Sequence, residues 1–344
     1  MNNTLKLLTT LTVLSHALVA QAVVTFDWVI VGNAGNAADP ETGYGSVDHA
    51  FRISKYEVTN TQYVEFLNAT DPAGSQGHLF DFSQLPEYER GGIQFDNQAA
   101  NGLKYDAIAG RENMPVLWIS APRAQMFVNW LENGQGSGDY VTGTYDLTAN
   151  SDGTRKSTAT FFLPNNDEWY KAAYHQNDGV TANYWDYPMS SDDIPYSDDP
   201  DSVNTPDSSN TANFFKDDSN ANGFDDGYAV TGQPLLDANE YYLSEVGAYG
   251  TAMSPYGTFD QGGNAAEVTE PFPGPPGLNI FILRGGSFSS GSNGLNAATR
   301  VLARDGSYAA RYGFRVASRI PEPSTLLLGA LAGLGLLLRS LVFR

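Results

Sequence analysis

The chain of 344 residues, 41% of them hydrophobic, is long enough for one large domain or two small ones with a well-packed core. Its formal net charge of −20 argues against nucleic acid as a partner, because phosphate binding requires a basic surface. It contains no cysteine, which excludes a disulfide framework, a thiolate nucleophile and any cysteine-based metal site.

The first residues have the features of an export signal. A lysine near the start precedes a mostly apolar stretch over residues 7–19, and Ala20-Gln21-Ala22 has the small-residue pattern of a cleavage site. We therefore expect residues 1–22 to be a cleaved signal peptide and the mature chain to begin near Val23.

Three short helices are predicted in the mature chain, each with an N-terminal start signal and one apolar face. Thr59 and Gln62 have the spacing of a capping box, Pro122 suits a first helical turn, and Glu168 stands at the third position of the last helix. Because each helix has a single apolar stripe, each must pack against another element. The first predicted helix lies within residues 57–68, the second covers residues 121–133, and the third starts at residue 165 and ends by residue 179.

The rest of the chain is predicted to form short strands joined by long loops. Residues 50–56, 280–283 and 312–317 have the apolar and β-branched composition of strands. Residues 186–230 are rich in Asp, Asn, Ser and Pro, a composition that permits disorder. Aromatic residues punctuate this stretch, however, and favour an ordered loop attached to a core.

Six short motifs follow one another along the mature chain. The first and last are Glu57-Val58-Thr59-Asn60 and Gly313-Phe314-Arg315-Val316-Ala317. Between them lie Met114-Pro115-Val116, Leu163-Pro164 with Glu168-Trp169, Gly263-Asn264 with Glu267, and Arg284-Gly285-Gly286-Ser287-Phe288. In order and spacing the series resembles the formylglycine-generating-enzyme (sulfatase-modifying factor) domain, over residues 25–318. The resemblance implies an α+β fold related to C-type lectins, loop-rich, with short helices, small sheets and bound calcium.

The resemblance also identifies where catalysis would take place. Active members of the family oxidise a substrate cysteine to formylglycine with two copper-binding cysteines that follow the Arg-Gly-Gly-Ser motif. The matching positions in this chain are Ser290 and Leu295. Cu(I) selects soft thiolates, which a hydroxyl and an isobutyl group cannot replace. We therefore predict no copper and no formylglycine chemistry, and we assign no catalytic residue.

Other catalytic patterns are weak. The histidines of the mature chain stand at unrelated spacings, and no carboxylate has a context that marks an acid–base pair. Arginines crowd the last third of the chain and leave two interpretations open, structural ion pairing in an acidic protein or a cradle for an anionic ligand. They are Arg284, Arg300, Arg304, Arg311 and Arg315.

The cofactor that we expect is calcium, which takes oxygen ligands from carboxylates, amide side chains and backbone carbonyls. The resemblance implies two structural sites. The first would use the side chains of Asn213 and Asp226 with the carbonyls of Phe214 and Tyr228.

The second implied calcium site lies in a glycine-containing turn. It would use the side chains of Asp260 and Glu267 with the carbonyls of Gly263 and Ala265. Gly263 suits a backbone that bends around an ion. The family has aromatic residues on both sides of Glu267, where this chain has alanine and valine, so the packing beneath the site is reduced.

A local pattern competes with the first calcium site. Asp218, Asn220, Asn222 and Gly223 resemble the opening of an EF-hand loop. The twelfth position is Ala229, where a bidentate glutamate belongs. We interpret this segment as a turn-rich acidic loop rather than an EF-hand.

The C-terminal residues resemble the PEP-CTERM sorting signal of Gram-negative bacteria. Pro321-Glu322-Pro323 precedes an uncharged, mostly apolar run over residues 324–338, and Arg339 and Arg344 follow. The run has 15 residues, fewer than the ~20 that cross a bilayer comfortably, so by length alone it also suits a buried helix. The resemblance implies a short transmembrane helix, transient anchoring in the inner membrane and an exosortase-type partner.

The sequence therefore predicts three regions: a signal peptide (1–22), one domain (23–320) and a sorting segment (321–344). The leading hypothesis is an exported, calcium-stabilised and non-catalytic binding module for an extracellular glycan or protein. An enzyme with cysteine-independent chemistry on a secreted substrate is the alternative, and a purely structural matrix protein is the third possibility.

Overall fold

The computed structural model describes residues 23–320 except 81–90, 149–153, 238, 274–278, 305–306 and 308–309. The predicted signal peptide and sorting segment lie outside these residues. Within the described ranges, no helix combines the length and the apolar character needed to cross a membrane. The α-helices of these ranges are α1 (Asn60–Thr70), α2 (Ala121–Glu132) and α3 (Asn166–Tyr174).

The helix starts are those predicted from the sequence. Thr59 and Gln62 exchange the two hydrogen bonds of a capping box, at 3.0 and 3.3 Å, and Asn165 caps α3 together with Glu168 in the same way. The third helix ends before Gly179, as predicted. It ends at Tyr174 because the next residue has an extended backbone, with φ −64° and ψ 131°.

The first sheet is antiparallel and has four strands, in which Ile53 pairs with Val29 on one edge and with Ala317 on the other. Strands from the two ends of the domain are thereby joined. In spatial order the strands are β1 (Trp28–Val31), β2 (Phe51–Ser54), β15 (Ala317–Arg319) and β5 (Phe161–Phe162).

The second sheet has five strands and combines antiparallel and parallel pairs. Leu283 pairs with Val268 on one edge and with Val301 on the other, whereas Glu267 pairs in parallel with Gly313. The strands are β10 (Ala266–Val268), β11 (Phe272–Pro273), β12 (Asn279–Arg284), β13 (Val301–Arg304) and β14 (Tyr312–Gly313).

The long loop over residues 186–230 is ordered, as its aromatic residues predict. Phe214 is fully buried in a cluster with Met189 and Leu295. The loop contains the two-stranded sheets β6 (Tyr196–Ser197) with β7 (Thr211–Ala212) and β8 (Phe215–Asp217) with β9 (Asp226–Tyr228). A further pair, β3 (Ile93–Phe95) with β4 (Tyr105–Ala107), lies between α1 and α2 in the sequence.

The strand predicted over residues 312–317 is in fact two strands. β14 belongs to the second sheet and β15 to the first, and the chain crosses between the sheets at Phe314, Arg315 and Val316. All three crossing side chains are fully buried. A tertiary crossover therefore overrides the local strand preference of this segment.

An aromatic core holds α1 and α2 against this crossover. The Tyr63 and Phe127 rings stack with centroids 5.8 Å apart, and Phe314 meets Phe127 edge-on at 5.3 Å. Burial of each such side chain stabilises the fold by about 1.5–3 kcal/mol. The predicted α+β class is confirmed, and this core fixes the crossover on which the candidate site is built.

Candidate functional site

A buried ion pair lies between the two sheets. Arg315, in the crossover, donates from Nε and Nη2 to the two carboxylate oxygens of Glu267 on β10, each at 2.6 Å. Trp169 of α3 donates to Glu267 Oε2 at 2.7 Å. Both charged side chains are fully buried. Glu267, predicted to bind calcium, therefore already has partners for both of its oxygens.

Two further buried carboxylates lie around this ion pair. Glu57 accepts from the Ala265 amide at 3.2 Å, and Asp260 accepts from the Gly247 amide at 2.6 Å. Burial raises the pKa of Asp260 to about 6, and burial with the neighbouring carboxylates of Asp260 and Glu267 raises the pKa of Glu57 well above its usual value. Three carboxylates face one guanidinium, so the cluster favours an added proton or an added cation.

Sequence reasoning missed Glu57 as a member of this site. The residue stands two positions before the capping threonine of α1, and the sequence analysis named it only as part of the first family motif. Its side chain instead reaches Ala265 and Asn264, more than 200 residues away in the sequence. One feature of the sequence could have identified Glu57 as a buried residue: it stands between two apolar residues, Tyr56 and Val58.

Asn264 joins the two predicted calcium sites. Its backbone amide donates to the Asn213 carbonyl at 2.8 Å, and its Oδ1 accepts from Asn213 Nδ2 at 3.1 Å. The Oδ1 atom of Asn213 is buried and has no hydrogen-bond partner. An unsatisfied buried acceptor costs about 1–3 kcal/mol, which a bound cation would relieve.

The other oxygens of the first predicted site already accept hydrogen bonds. The Phe214 carbonyl accepts from the Ser197 hydroxyl at 2.6 Å, and the Tyr228 carbonyl accepts from the Gly232 amide at 2.7 Å. Asp226 accepts from the Gly223 amide at 2.9 Å. No hydrogen bond links Asn213 to Asp226 in the described part of the chain. A calcium ion here would have to exchange several of these bonds for metal contacts.

The EF-hand-like segment folds as a series of local turns. Asp218 accepts from the Asn220 amide at 2.8 Å, and Asn222 accepts from the Phe224 amide at 3.3 Å. These side chains are exposed and bond their own backbone two residues on, as in Asx turns. The geometry agrees with the interpretation as a turn-rich acidic loop.

The donor sets of the two predicted calcium sites differ in how well they suit a cation. Among the described residues, no group of three or more His, Cys, Asp or Glu is close enough to hold a metal ion. A site here would therefore depend on carbonyl and amide oxygens as well. The second site suits a cation because it has an excess of buried negative charge. The first site suits a cation only because the Asn213 Oδ1 atom lacks a hydrogen-bond partner.

The position of the family's two cysteines lies at an open cleft. Ser290 lines a cavity of about 290 Å³ together with Leu283, Val301 and Tyr312. Its Oγ accepts from the Ser287 amide at 3.0 Å. Leu295 does not line the cleft but is fully buried in the cluster around Phe214. The two family positions thus present one hydroxyl and one core side chain.

The five C-terminal arginines separate into two kinds. Arg315 has the structural ion pair described above. Arg284 is also buried, but its donors go to Asn166 Oδ1 at 2.8 Å and to the carbonyls of Ala297 and Thr299 at 3.0 and 2.8 Å. Arg284 and the exposed Arg311 both line the cleft. The ion-pairing interpretation therefore holds for Arg315, and the anionic-cradle interpretation stays a prediction.

A second charged cluster lies at the start of α3. The fully buried Glu168 is 3.1 Å from Arg155 and 3.0 Å from His49, and Arg155 is 3.2 Å from Glu270. Burial raises the pKa of Glu270 to about 7, against the opposing charge of Arg155. The sequence motif identified Glu168 as a helix cap, a role that it also has here. We interpret this cluster as structural.

Comparisons with known proteins give one family model and several similar solved structures. Residues 29–320 match the family model of the sulfatase-modifying factor enzyme 1-like domain. The crystal structure of CarF is similar, with a TM-score of 0.51 and 17% sequence identity over 87% of this chain and 100% of CarF. Variable protein 1 of Treponema denticola has a TM-score of 0.47 and 16% identity over 87% of this chain and 97% of its own. PvdO from Pseudomonas aeruginosa has a TM-score of 0.42 and 13% identity, over 81% and 83%. No curated protein matches the sequence significantly.

Proposed function

Because this chain belongs to the family of sulfatase-modifying factor enzyme 1-like domains, we propose that it keeps the family scaffold as a non-catalytic binding module. The module is stabilised by calcium, and it acts on the cell surface or in an extracellular matrix. Its ligand is an extracellular protein or glycan that occupies the cleft beside Ser290.

The observation that carries this proposal is the pair of residues at the family's copper positions. Ser290 offers a hydroxyl that is hydrogen-bonded to its own loop, and Leu295 is fully buried among apolar side chains. Neither side chain can bind Cu(I), which requires soft ligands. The cleft itself remains open. A scaffold that has lost its redox ligands and kept its cleft is suited to binding.

Calcium as a stabiliser is supported by two features of the described residues. Glu57, Asp260 and Glu267 place three carboxylates around Arg315, and Asn213 Oδ1 is buried without a partner. Asp260 and Glu267, with the carbonyls of Gly263 and Ala265, would hold the ion, and Glu57 would add negative charge beside it. Calcium would then lower the repulsion between these carboxylates and hold the turn over residues 260–267 in place.

Export is supported by the sequence at both ends. The signal-peptide pattern over residues 1–22 and the PEP-CTERM-like segment over residues 321–344 predict passage through the inner membrane and processing there. Mass spectrometry of the protein from an exosortase-bearing host tests this proposal. We expect an N-terminus near Val23 and a C-terminus near Pro321. A chain that still ends at Arg344 would contradict the sorting proposal.

The binding function is tested by a screen of the purified protein against glycans and secreted proteins. We expect a saturable ligand whose binding weakens in excess chelator. Ser290→Phe fills the cleft and should abolish binding, whereas Ser157→Phe, at an exposed serine outside the cleft, should not. Substrate turnover that persists in metal-free protein would instead favour the alternative, a cysteine-independent enzyme.

A further inference from the structure

The cleft lies beside an unpaired sheet edge. Among the described strands, β13 pairs with β12 alone. Val301 and Leu302 of β13 point to opposite faces of the sheet and are 52% and 57% exposed. Val301 also lines the cleft. Unpaired backbone groups on an edge can accept an added strand, so an extended polypeptide on β13 would have the cleft next to its side chains.

Three arginines around this edge have no acidic partner among the residues that the structure describes. Arg300, Arg304 and Arg311 are exposed, and none forms an ion pair with a carboxylate in the described ranges. Arg300 lies over the Tyr44 ring at 4.9 Å, and Arg311 donates to the Ser289 hydroxyl at 3.3 Å. The chain has a net charge of −20, so arginines without a carboxylate partner at one edge form a local positive patch. Such a patch attracts negatively charged ligands.

Arg284 also lines the cleft. It is buried, and its hydrogen-bond acceptors are one amide and two carbonyl oxygens, all neutral. A buried guanidinium without a carboxylate partner is incompletely compensated. An anion in the cleft would supply the missing charge.

Ser290, which lines the cleft, belongs to a small cluster of hydroxyl groups. Ser287 Oγ lies 3.3 Å from the hydroxyls of both Ser289 and Ser290. Hydroxyl hydrogens can rotate to donate to an incoming carboxylate. The serine at the family's cysteine position thereby becomes part of a polar cluster next to Arg311.

We propose that the Ser290 cleft and the free edge of β13 together bind an extended acidic segment of a partner protein. The segment pairs its backbone with β13, one carboxylate enters the cleft beside Arg311, and neighbouring carboxylates face Arg300 and Arg304. This inference rests on the proposed binding role and specifies its ligand as an acidic polypeptide.

A polypeptide fits this surface better than a sugar polymer does. The edge strand carries two exposed aliphatic side chains, Val301 on the side of the cleft and Leu302 on the opposite face, and each can pack against a side chain of an added strand. The acidic loops of a second copy of this chain have similar chemistry, so self-association is an outcome that the experiment must separate.

The test uses the full mature protein and the labelled peptide acetyl-Asp-Asp-Val-Glu-Asp-amide in fluorescence anisotropy. We expect the analogue with Asn and Gln in place of the acids to bind at least about tenfold more weakly. Affinity for the acidic peptide should fall as salt is raised. Arg311→Gln should weaken binding about tenfold, whereas the matched control Arg319→Gln, at an exposed arginine away from the cleft, should leave it unchanged. Leu302→Glu should also weaken it, through repulsion at the edge.

Three results would overturn the inference. The first is equal affinity for the acidic and neutral peptides, which needs no variant and so does not depend on how the variants fold. The second is a protein that binds polygalacturonate at this cleft and no acidic peptide. The third is a dimer by light scattering that Arg311→Gln dissociates, with no peptide binding. A saturable ligand at another surface would leave the binding role intact while refuting this inference, and metal-free turnover would refute the binding role itself.

Discussion

Gly263 lies directly against the backbone of Asn213. Its φ is +89°, and a Cβ added to it would lie 2.3 Å from the Asn213 carbonyl oxygen. This contact is where the two predicted calcium sites meet, because the next residue, Asn264, donates its amide to the same oxygen. The glycine is required by both its backbone conformation and the lack of space.

Gly263→Ala is therefore expected to destabilise the fold. The left-handed backbone costs an alanine roughly 1–2 kcal/mol, and displacement of the Asn213 carbonyl adds to this. Gly291→Ala is the matched control, since Gly291 has φ −73° and no atom within 4 Å of an added Cβ. Urea denaturation should show a loss of about 2 kcal/mol or more for Gly263→Ala and little change for the control. Equal stabilities would show that the two loops are not in contact as described.

Calcium is expected to raise the melting temperature in a pH-dependent way. The folded-state pKa of Asp260 is raised from 3.8 to about 6, so its stabilising contribution is complete below about pH 4 and is lost as the pH rises through about 6. The ionised cluster then both destabilises the calcium-free fold and binds calcium. We expect a calcium-induced stabilisation of about 2.7 kcal/mol at a hundredfold excess over Kd near pH 7.5, and a smaller one near pH 5.

Single substitutions test which residues bind the calcium. Asp260→Asn and Glu267→Ala should each reduce the calcium-induced stabilisation, and Asp226→Ala should reduce the part due to the first site. The control Asp106→Asn, at an exposed position on β4, should leave the stabilisation unchanged. Magnesium at equal concentration should have little effect, because it requires a smaller octahedral cage. Melting curves that coincide in calcium and in excess chelator at about pH 7.5 would mean that neither site binds.

Loss of the buried arginine is expected to be costly. Arg315→Met leaves the Glu267 carboxylate buried beside Asp260 and Glu57 without an opposing charge, and we expect a loss of about 3–5 kcal/mol in unfolding free energy. Arg319→Met, at an exposed position four residues later, is the control and should stay within about 0.5 kcal/mol of the parent. Adding Glu267→Leu to Arg315→Met should recover part of the loss. A double variant as unstable as the sum of the single ones would rule out direct pairing.

Copper chemistry is expected to be absent. With Ser290 and Leu295 at the thiolate positions, the protein should not bind stoichiometric Cu(I), since neither side chain is a soft ligand. Incubation with copper, oxygen, reductant and a sulfatase-motif peptide should give no aldehyde above the protein-free control. Aldehyde formation that depends on the protein would show that another residue performs the oxidation.

The sequence by itself determined the elements whose signals are local. The capping box of Thr59 and Gln62 defines the start of α1 because the bonded atoms are three residues apart. The lack of cysteine determined that thiolate chemistry is absent, since no folding can supply a missing atom. The order of short motifs indicated the family and its α+β fold, which the family model over residues 29–320 confirms.

The tertiary structure alone decided which distant side chains share a site. Glu57 joins Asp260 and Glu267 because the crossover at Arg315 draws the two sheets together, and no local pattern encodes that approach. The same crossover divides residues 312–317 between two sheets, although their composition is that of one strand. Tertiary packing also gives the two buried arginines different partners: Arg315 pairs with a carboxylate, whereas Arg284 bonds neutral oxygens only. Burial and partners arise from long-range packing, and the charge balance of each site depends on them.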